Sequence, residues 1–287
     1  MSFSAAIGRY RHTLPLLSGK VSDPAIALDF AEVSPITRAF APMVREQRYD
    51  VSEMAIATFL QAKAYGKDLV LLPVTLAARF QEAALLCRAD GPIAGPADLK
   101  GRRVGVRAYS QTTGAWLRGI LKERYGVAPE QIRWVTFEDA HVAEYRDPPW
   151  AERAGPDDTL VGLLRDGRLD AIIVGMDVPR DAEFRTVFPD PAAAATAFRE
   201  QHGFIPVNHL VAVRGALLRE RPELAAGLLA LFRRSAAAAG ELPEGLLSGR
   251  AALNPAVTLA ARYTLEQGLL PRPLTADEIW SGLPADR

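Results

Sequence analysis

A two-lobed α/β fold with a ligand cleft between its lobes is the architecture this sequence predicts, and three observations carry that reading. Short apolar runs alternate with helical periodicity along the chain, the pattern of mainly parallel sheets faced by helices. The length, 287 residues, exceeds what one small core organises and suits two lobes of ordinary domain size. No stretch approaches the ~20 uninterrupted apolar residues of a membrane-spanning helix, so the periodic segments read as packed, soluble structure.

Taken in order, Ser2 to Ile7 and Ala27 to Phe30 read as the first strands and Ile36 to Glu46 as a helix. Asp50 and Ser52 are helix-start residue types, which predicts a helix over Val51 to Tyr65 with Ser52 and Glu53 in its opening turn. Leu69 to Pro73 and Ala83 to Cys87 are apolar strands. After the turn-rich Asp90 to Asp98 the chain reads strand, loop and helix at Arg103 to Val106, Tyr109 to Thr113 and Gly114 to Tyr125. Arg133 to Phe137 is a further strand, and His141 to Asp157, with its Pro148-Pro149 and Gly155-Pro156 pairs, is a loop. Leu160 to Leu164 resumes periodic structure, and Asp170 to Val174 is a short buried strand. Phe204 to Val213 is a nearly continuous apolar strand interrupted by Asn208 and His209, whose polar groups need partners once buried. Helices close the chain at Arg221 to Ala238, Asn254 to Gln267 and Thr275 to Trp280, and no internal repeat is visible.

Composition narrows the function classes. The 34 basic and 34 acidic side chains balance, so no single-sign field draws nucleic acid or an anionic membrane, and a partner must be recognised by local groups. The opening MSFSAAIGRYRHTLPLL lacks a basic region followed by an apolar run and a small-residue cleavage site, so a cytoplasmic location is expected. Cys87, the single cysteine, lies in the apolar AALLCR and reads as a small buried hydrophobe. No His-Glu-x-x-His spacing, dinucleotide fingerprint or P-loop occurs, and neither a metal nor an organic cofactor is expected. The expected partner is a small anionic ligand, and a homo-oligomer stays open.

Four stretches carry a resemblance: YRHTLPLLSGKV at 10–21, YDVSEMAIATFL at 49–60, DLKGRRVGVRAYSQTTGAWLRGILKERYGV at 98–127, and GFIPVNHLVAVR at 203–214, which follows Phe188-Pro189. Together they resemble the 4,5-dihydroxyphthalate decarboxylase family over nearly the whole chain. The third is the most specific, because its strand, polar loop, tryptophan-bearing helix and closing Tyr-Gly-Val follow in the family's order. The resemblance implies a type-two periplasmic-binding-protein-like fold, with one lobe from 1–86 plus 206–287 and the other from 87–205, and crossovers near Leu85 to Arg88 and Phe204 to Asn208. It also implies non-oxidative decarboxylation of a hydroxylated aromatic carboxylate, bound between the lobes. Where the family's members carry an arginine-phenylalanine-arginine-histidine run, this chain has Arg79 and Phe80 followed by Gln81 and Glu82. That departure keeps two alternatives open: a solute-binding protein for a small organic anion, and another enzyme on the same fold.

Several residues are candidates for the chemistry. Tyr109, Ser110, Gln111, Thr112 and Thr113 lie between a strand and a helix, where free N–H groups, hydroxyls and the helix dipole favour an anion; Ser110 or Thr112 can equally serve only as a cap. Ser52 and Glu53 mark a second expected helix start on the other lobe, for ligand binding or for capping alone. Arg79, retained from the family's run, has a guanidinium fork that matches a carboxylate, against the alternative of a surface pair with Glu82. Arg107 lies just past its strand, where open α/β sheets place ligands, and Arg118 is a further basic candidate. His209, with Asn208 beside it, can transfer a proton near neutral pH or be a hydrogen-bonded core histidine. His12 is the second candidate for proton transfer, while His141 and His202 read as exposed. Trp116 and Phe80 either stack on an aromatic ligand or belong to the core.

Overall fold

The computed structural model describes residues 2–175 and 182–283. In chain order its elements are β1 (Ser2–Ala6), α1 (Leu14–Leu17), β2 (Ala27–Phe30), α2 (Phe40–Glu46), β3 (Val51–Ala55), α3 (Ile56–Ala64), β4 (Leu69–Ala78), β5 (Leu85–Arg88), β6 (Arg103–Val106), α4 (Thr112–Tyr125), β7 (Arg133–Thr136), β8 (Ala151–Arg153), α5 (Leu160–Arg165), β9 (Ala171–Ile173), β10 (Phe184–Thr186), α6 (Pro191–His202), β11 (Val207–Arg214), α7 (Gly215–Glu220), α8 (Glu223–Ala238), α9 (Arg250–Glu266) and α10 (Ala276–Trp280). They form a five-stranded sheet in the order β2-β1-β3-β11-β4 and a six-stranded sheet in the order β10-β5-β9-β6-β7-β8. β1, β2 and β3 run parallel, as do β9, β6, β7 and β8. β11 runs antiparallel to both β3 and β4. The chain passes from the first sheet to the second between β4 and β5 and returns between α6 and β11.

Strand alternation decides what each face of the first sheet buries. Val51 of β3 and Val211 and Val213 of β11 pack with Leu228 and Phe232 of α8. Met54, Leu210 and Ala212 face the other way, into a larger core that also holds Phe59 of α3, Val104 of β6, Trp116 and Leu121 of α4 and Val257 of α9. That core is continuous between the sheets. Trp116 Nε1 donates to the Val207 carbonyl at 2.8 Å, tying α4 to β11. α4 and α9 approach closely because Gly119 has no Cβ; one built there would collide with the Tyr263 ring.

Several expected boundaries move. The expected helix over 51–65 is strand β3 followed by helix α3, which begins at Ile56. Residues 51–55 are flanked on both edges by β1 and β11, and this pairing overrides the local helix-start signal. Asp50 caps nothing helical: its carboxylate accepts from the Ser4 N–H at 2.9 Å and the Ser4 hydroxyl at 3.1 Å. β4 continues past Pro73 to Ala78 through irregular pairing with β11, and the flanking Gly249 and Thr75 N–H groups bond to Pro73 and Leu247 carbonyls instead. α4 begins at Thr112, two residues before the expected Gly114 start, and the expected 141–157 loop contains β8. β10, α6 and α7 were not anticipated.

Candidate functional site

The parallel strands of the two sheets end toward each other. From the C-terminal ends of β1 and β3 come the 8–13 loop and the first turn of α3; from β6 and β7 come the 107–111 loop, the start of α4 and the segment holding His141. Such strand ends are where open α/β sheets place ligands. Three bonds join them directly: Ala57 N–H donates to Thr112 Oγ1 at 3.2 Å, Arg79 Nη2 donates to Thr113 Oγ1 at 2.9 Å, and Thr58 Oγ1 lies 2.8 Å from His141 Nδ1.

Glu53 is the centre of the first sheet's contribution. It shares a sheet face with Val51, and it is fully buried. A buried carboxylate persists only with donors around it. Gly8 N–H donates to Oε2 at 2.8 Å, while the Tyr10 hydroxyl and His209 Nδ1 both approach Oε1 at 2.6 Å. Gly8 is needed here because a Cβ would stand 2.7 Å from Glu53 Oε2 and from the Tyr10 ring. Thr13 Oγ1 braces the loop, donating to the Gly8 carbonyl at 2.6 Å and accepting from Tyr10 N–H at 2.9 Å. Burial first, and the Glu53 carboxylate second, hold the Tyr10 phenol protonated.

His209 meets Glu53 because β3 and β11 pair His209 with Ala55, which leaves Glu53 as its diagonal neighbour on the same face. On the β4 side the register shifts on each side of His209, the kind of local irregularity that re-aims a side chain. Nδ1 is committed to Glu53, Nε2 has no hydrogen bond among the described residues, and the side chain keeps 19% of its surface exposed. Its ring stands edge to face with Phe40 at 5.2 Å.

Arg79 supplies the positive charge. It follows β4 next to Ala78 and Ala77, the partners of Val207 and His209. Among the described residues its guanidinium has no carboxylate partner, and Thr113 is its one side-chain acceptor. Burial lowers its affinity for its proton, and the neighbouring Tyr10 opposes that. The expected alternative, a surface pair with Glu82, is not formed. Glu82 is buried, its Oε2 accepts from Gln81 N–H at 2.9 Å, and burial pushes its carboxyl upward.

The remaining candidates divide. Thr112 and Thr113 face the first sheet through the bonds above, and Gln111 is the N-cap residue without a side-chain cap bond, so neither Ser110 nor Thr112 caps α4. Tyr109 turns into the core: it is fully buried, its ring lies 3.9 Å beneath the Arg118 guanidinium, and its hydroxyl accepts from Trp150 Nε1. Ser52 is buried on the opposite face from Glu53, its hydroxyl donating to the Glu53 carbonyl. Asn208 is buried against Gln81, whose Nε2 donates to Asn208 Oδ1 at 2.9 Å, so both residues pack the crossover. His12 is buried and stacked on Tyr10 at 5.3 Å; the Leu76 carbonyl lies near, yet neither ring nitrogen reaches hydrogen-bond geometry, and burial lowers its pKa. Arg107 forms a loose, exposed pair with Glu138 at 3.5 Å. Trp116 is core, edge to face with Phe198 and Tyr263, and Phe80 packs against the same core.

Two residues at this junction were not singled out. Tyr10 lies in the 10–21 stretch already quoted, beside His12, and its phenol is what the loop brings to Glu53. His141, expected to be exposed, is largely enclosed, and burial with the nearby Arg107, Arg45 and His209 charges pushes it down to about 4. The strand-end rule applied to Arg107 also picks out the segment after β7. His202 is likewise half-buried, against Phe198 and Glu123.

Comparison with known proteins bears on the family and the fold. The family described as NMT1/THI5 like matches residues 35–146. In the solved structures, the alkanesulfonate-binding protein of Xanthomonas axonopodis pv. citri bound to MOPS aligns with a TM-score of 0.57 at 15% identity, covering 97% of this chain and 98% of that one. The periplasmic aliphatic sulphonate binding protein of Escherichia coli aligns at 0.55 and 15% identity, over 98% of this chain and 82% of that one. The desulfurization enzyme DSZB aligns at 0.52 and 16% identity, over 98% and 96%. The fold is thus that of the periplasmic solute-binding proteins, a scaffold that carries both binders and enzymes. In sequence, a 4,5-dihydroxyphthalate decarboxylase of Comamonas testosteroni is 31% identical over 83% of this chain and 76% of its own length. One of Pseudomonas putida is 31% identical over 60% of this chain and 70% of its own length. The chain belongs to the 4,5-dihydroxyphthalate decarboxylase family.

Proposed function

We propose that this protein is a carboxy-lyase acting on a hydroxylated aromatic carboxylate of the dihydroxyphthalate kind, with the two sheets serving as lobes, 1–86 plus 206–287 and 87–205, around the ligand. The observation that carries this reading is a guanidinium without an acid partner among the described residues, Arg79, beside Tyr10, whose hydroxyl shares the buried Glu53 carboxylate with His209 Nδ1. Arg79, the Thr113 hydroxyl and the first N–H groups of α4 hold a ring carboxylate. The imidazolium of His209 delivers a proton from Nε2 to the ring carbon that bears the departing carboxylate. A hydroxyl para to that carbon releases electron density, giving a dienone-like intermediate. The bond to the carboxylate carbon then breaks, its electron pair returns to the ring, and carbon dioxide leaves. Glu53 keeps His209 in one orientation, and the His209 proton is replaced from water. The bonds across the junction limit water at the reacting carbon. A cytoplasmic location goes with this proposal.

A second reading, capture of the anion without turnover, is favoured by Gln81 and Glu82, which are buried at the crossover where the family's run has arginine and histidine. Incubating the purified protein with hydroxylated phthalates and benzoates, while following carbon dioxide release and thermal shift together, separates the two. Turnover with a shift supports the decarboxylase, and a shift without turnover across the panel overturns it. Turnover retained in His209→Asn would place proton delivery elsewhere.

A further inference from the structure

His141 has no part in holding the carboxylate or delivering the proton, yet the structure takes pains to place it. Arg45 clamps its segment from the first sheet's side, donating from Nε to the His141 carbonyl at 2.9 Å and from Nη2 to the Ala140 carbonyl at 2.7 Å. The ring is then oriented by Thr58, in the first turn of α3, whose Oγ1 lies 2.8 Å from Nδ1. Phe40 touches both histidines of the site: His141 meets it edge to face at 5.8 Å and 84°, and His209 at 5.2 Å and 87°. The two imidazoles therefore share one aromatic neighbour, His209 coming from the first sheet and His141 from the segment after β7. The Nδ1 bond to Thr58 is the only hydrogen bond the His141 ring makes among the described residues, leaving Nε2 for a ligand.

The surroundings fix what that ligand group is. Burial, with Arg107, Arg45 and His209 as neighbouring cations, keeps the imidazole neutral at physiological pH. A neutral imidazole has one donor and one acceptor nitrogen, and Thr58 can satisfy Nδ1 in either role. Nε2 then donates or accepts according to the tautomer. A hydroxyl matches both cases because it donates and accepts, whereas a carboxylate matches only one and is already provided for by Arg79. We infer that His141, oriented by Thr58, is a specificity-determining contact for a ring hydroxyl of the substrate. This rests on the decarboxylase site proposed above and adds to it the means of telling a hydroxylated ring from a bare one. A site that hydrogen-bonds a substrate hydroxyl rejects the analogue lacking it, because its own polar group is left unpaired.

The test compares two probes, phthalate and its 4,5-dihydroxy derivative, by calorimetric titration in the cold into wild-type protein, His141→Ala, His141→Asn and Thr58→Val. Wild type is expected to prefer the dihydroxy compound by about tenfold or more. In His141→Ala that preference falls to within about twofold while the affinity for phthalate changes little; His141→Asn keeps part of it, and Thr58→Val lies between. Equal weakening of both probes in His141→Ala marks a merely structural residue and overturns the inference. A preference that survives His141→Ala also overturns it and leaves the carboxylate site standing. Wild-type protein that binds neither probe overturns the site itself and the inference with it.

Discussion

Arg79 and Arg118 both lack a carboxylate partner among the described residues, and they sit in opposite settings. Arg118 is wholly buried in α4, donating from Nε to Gln267 Oε1 at 2.7 Å and from Nη2 to the Tyr109 carbonyl, with its guanidinium 3.9 Å from the Tyr109 ring and 5.0 Å from the Trp134 ring. Neutral dipoles and aromatic faces replace the missing acid there. Arg79 is only half-buried, gives one side-chain hydrogen bond, and has donors left over at the strand ends of both sheets. A cation without an acid is therefore not in itself a binding site. What separates the two is access: Arg118 is sealed in the core with Nε and Nη2 bonded and Nη1 left without a partner, whereas Arg79 is half-buried at the strand ends of both sheets. Arg118 holds the 109–113 loop in place, while Arg79 keeps donors that the described residues do not take up.

Three perturbations sharpen that contrast, in order of expected size. Arg118→Ala removes the buried partner of Gln267 and the Tyr109 carbonyl and opens a cavity, so chemical denaturation should show a loss of about 2–4 kcal/mol. A change under about 1 kcal/mol would mean that the buried guanidinium is dispensable to the fold.

The next concerns a buried group held neutral by cations. His141 has a folded-state pKa of about 4 against an ordinary 6.5, so as pH falls below 6.5 the unfolded chain takes up the proton first. Stability is therefore retained above pH 6.5 and lost as pH falls toward 4, by up to roughly 3 kcal/mol from this residue. His12, also lowered by burial, adds in the same direction, so His141→Asn should flatten the slope of unfolding free energy with pH without abolishing it. An identical slope in the variant contradicts the burial of His141.

The smallest of the three is Gly8→Ala. Its Cβ, 2.7 Å from Glu53 Oε2 and the Tyr10 ring, should cost about 1–3 kcal/mol and loosen the Glu53 bonds, lowering turnover along with stability. Unaltered stability would show that the 8–13 loop yields more readily than its hydrogen bonds indicate.

How far the sequence reveals this site depends on which kind of signal each residue carries. His209 was visible because a histidine in the apolar 204–213 run needs a partner, but Glu53 could not be recognised as that partner while 51–55 read as helix. Asp50 and Ser52 mimic a helix start, and a short apolar run does not separate a buried strand from a helix by periodicity. Only the flanking β1 and β11, distant in sequence, decide the matter. The position of Arg79 was legible from the family's run; its lack of an acid partner was not, because Glu82 lies close in sequence and turns into the crossover. His141 went unread because polar neighbours in sequence say little about enclosure by Arg45, Thr58 and Phe40, which come from the other sheet's half of the chain. Tyr109 erred the other way, a loop residue by pattern that the Arg118 stack draws into the core.

The central claim is that Arg79 is the anion's anchor, and titration of an aromatic carboxylate into wild-type, Arg79→Ala and Arg79→Lys proteins tests it most directly. The expected result is a Kd raised at least about tenfold in Arg79→Ala, partial recovery in Arg79→Lys, and unfolding free energies within about 1 kcal/mol of wild type. An unchanged Kd in a folded Arg79→Ala protein contradicts the account.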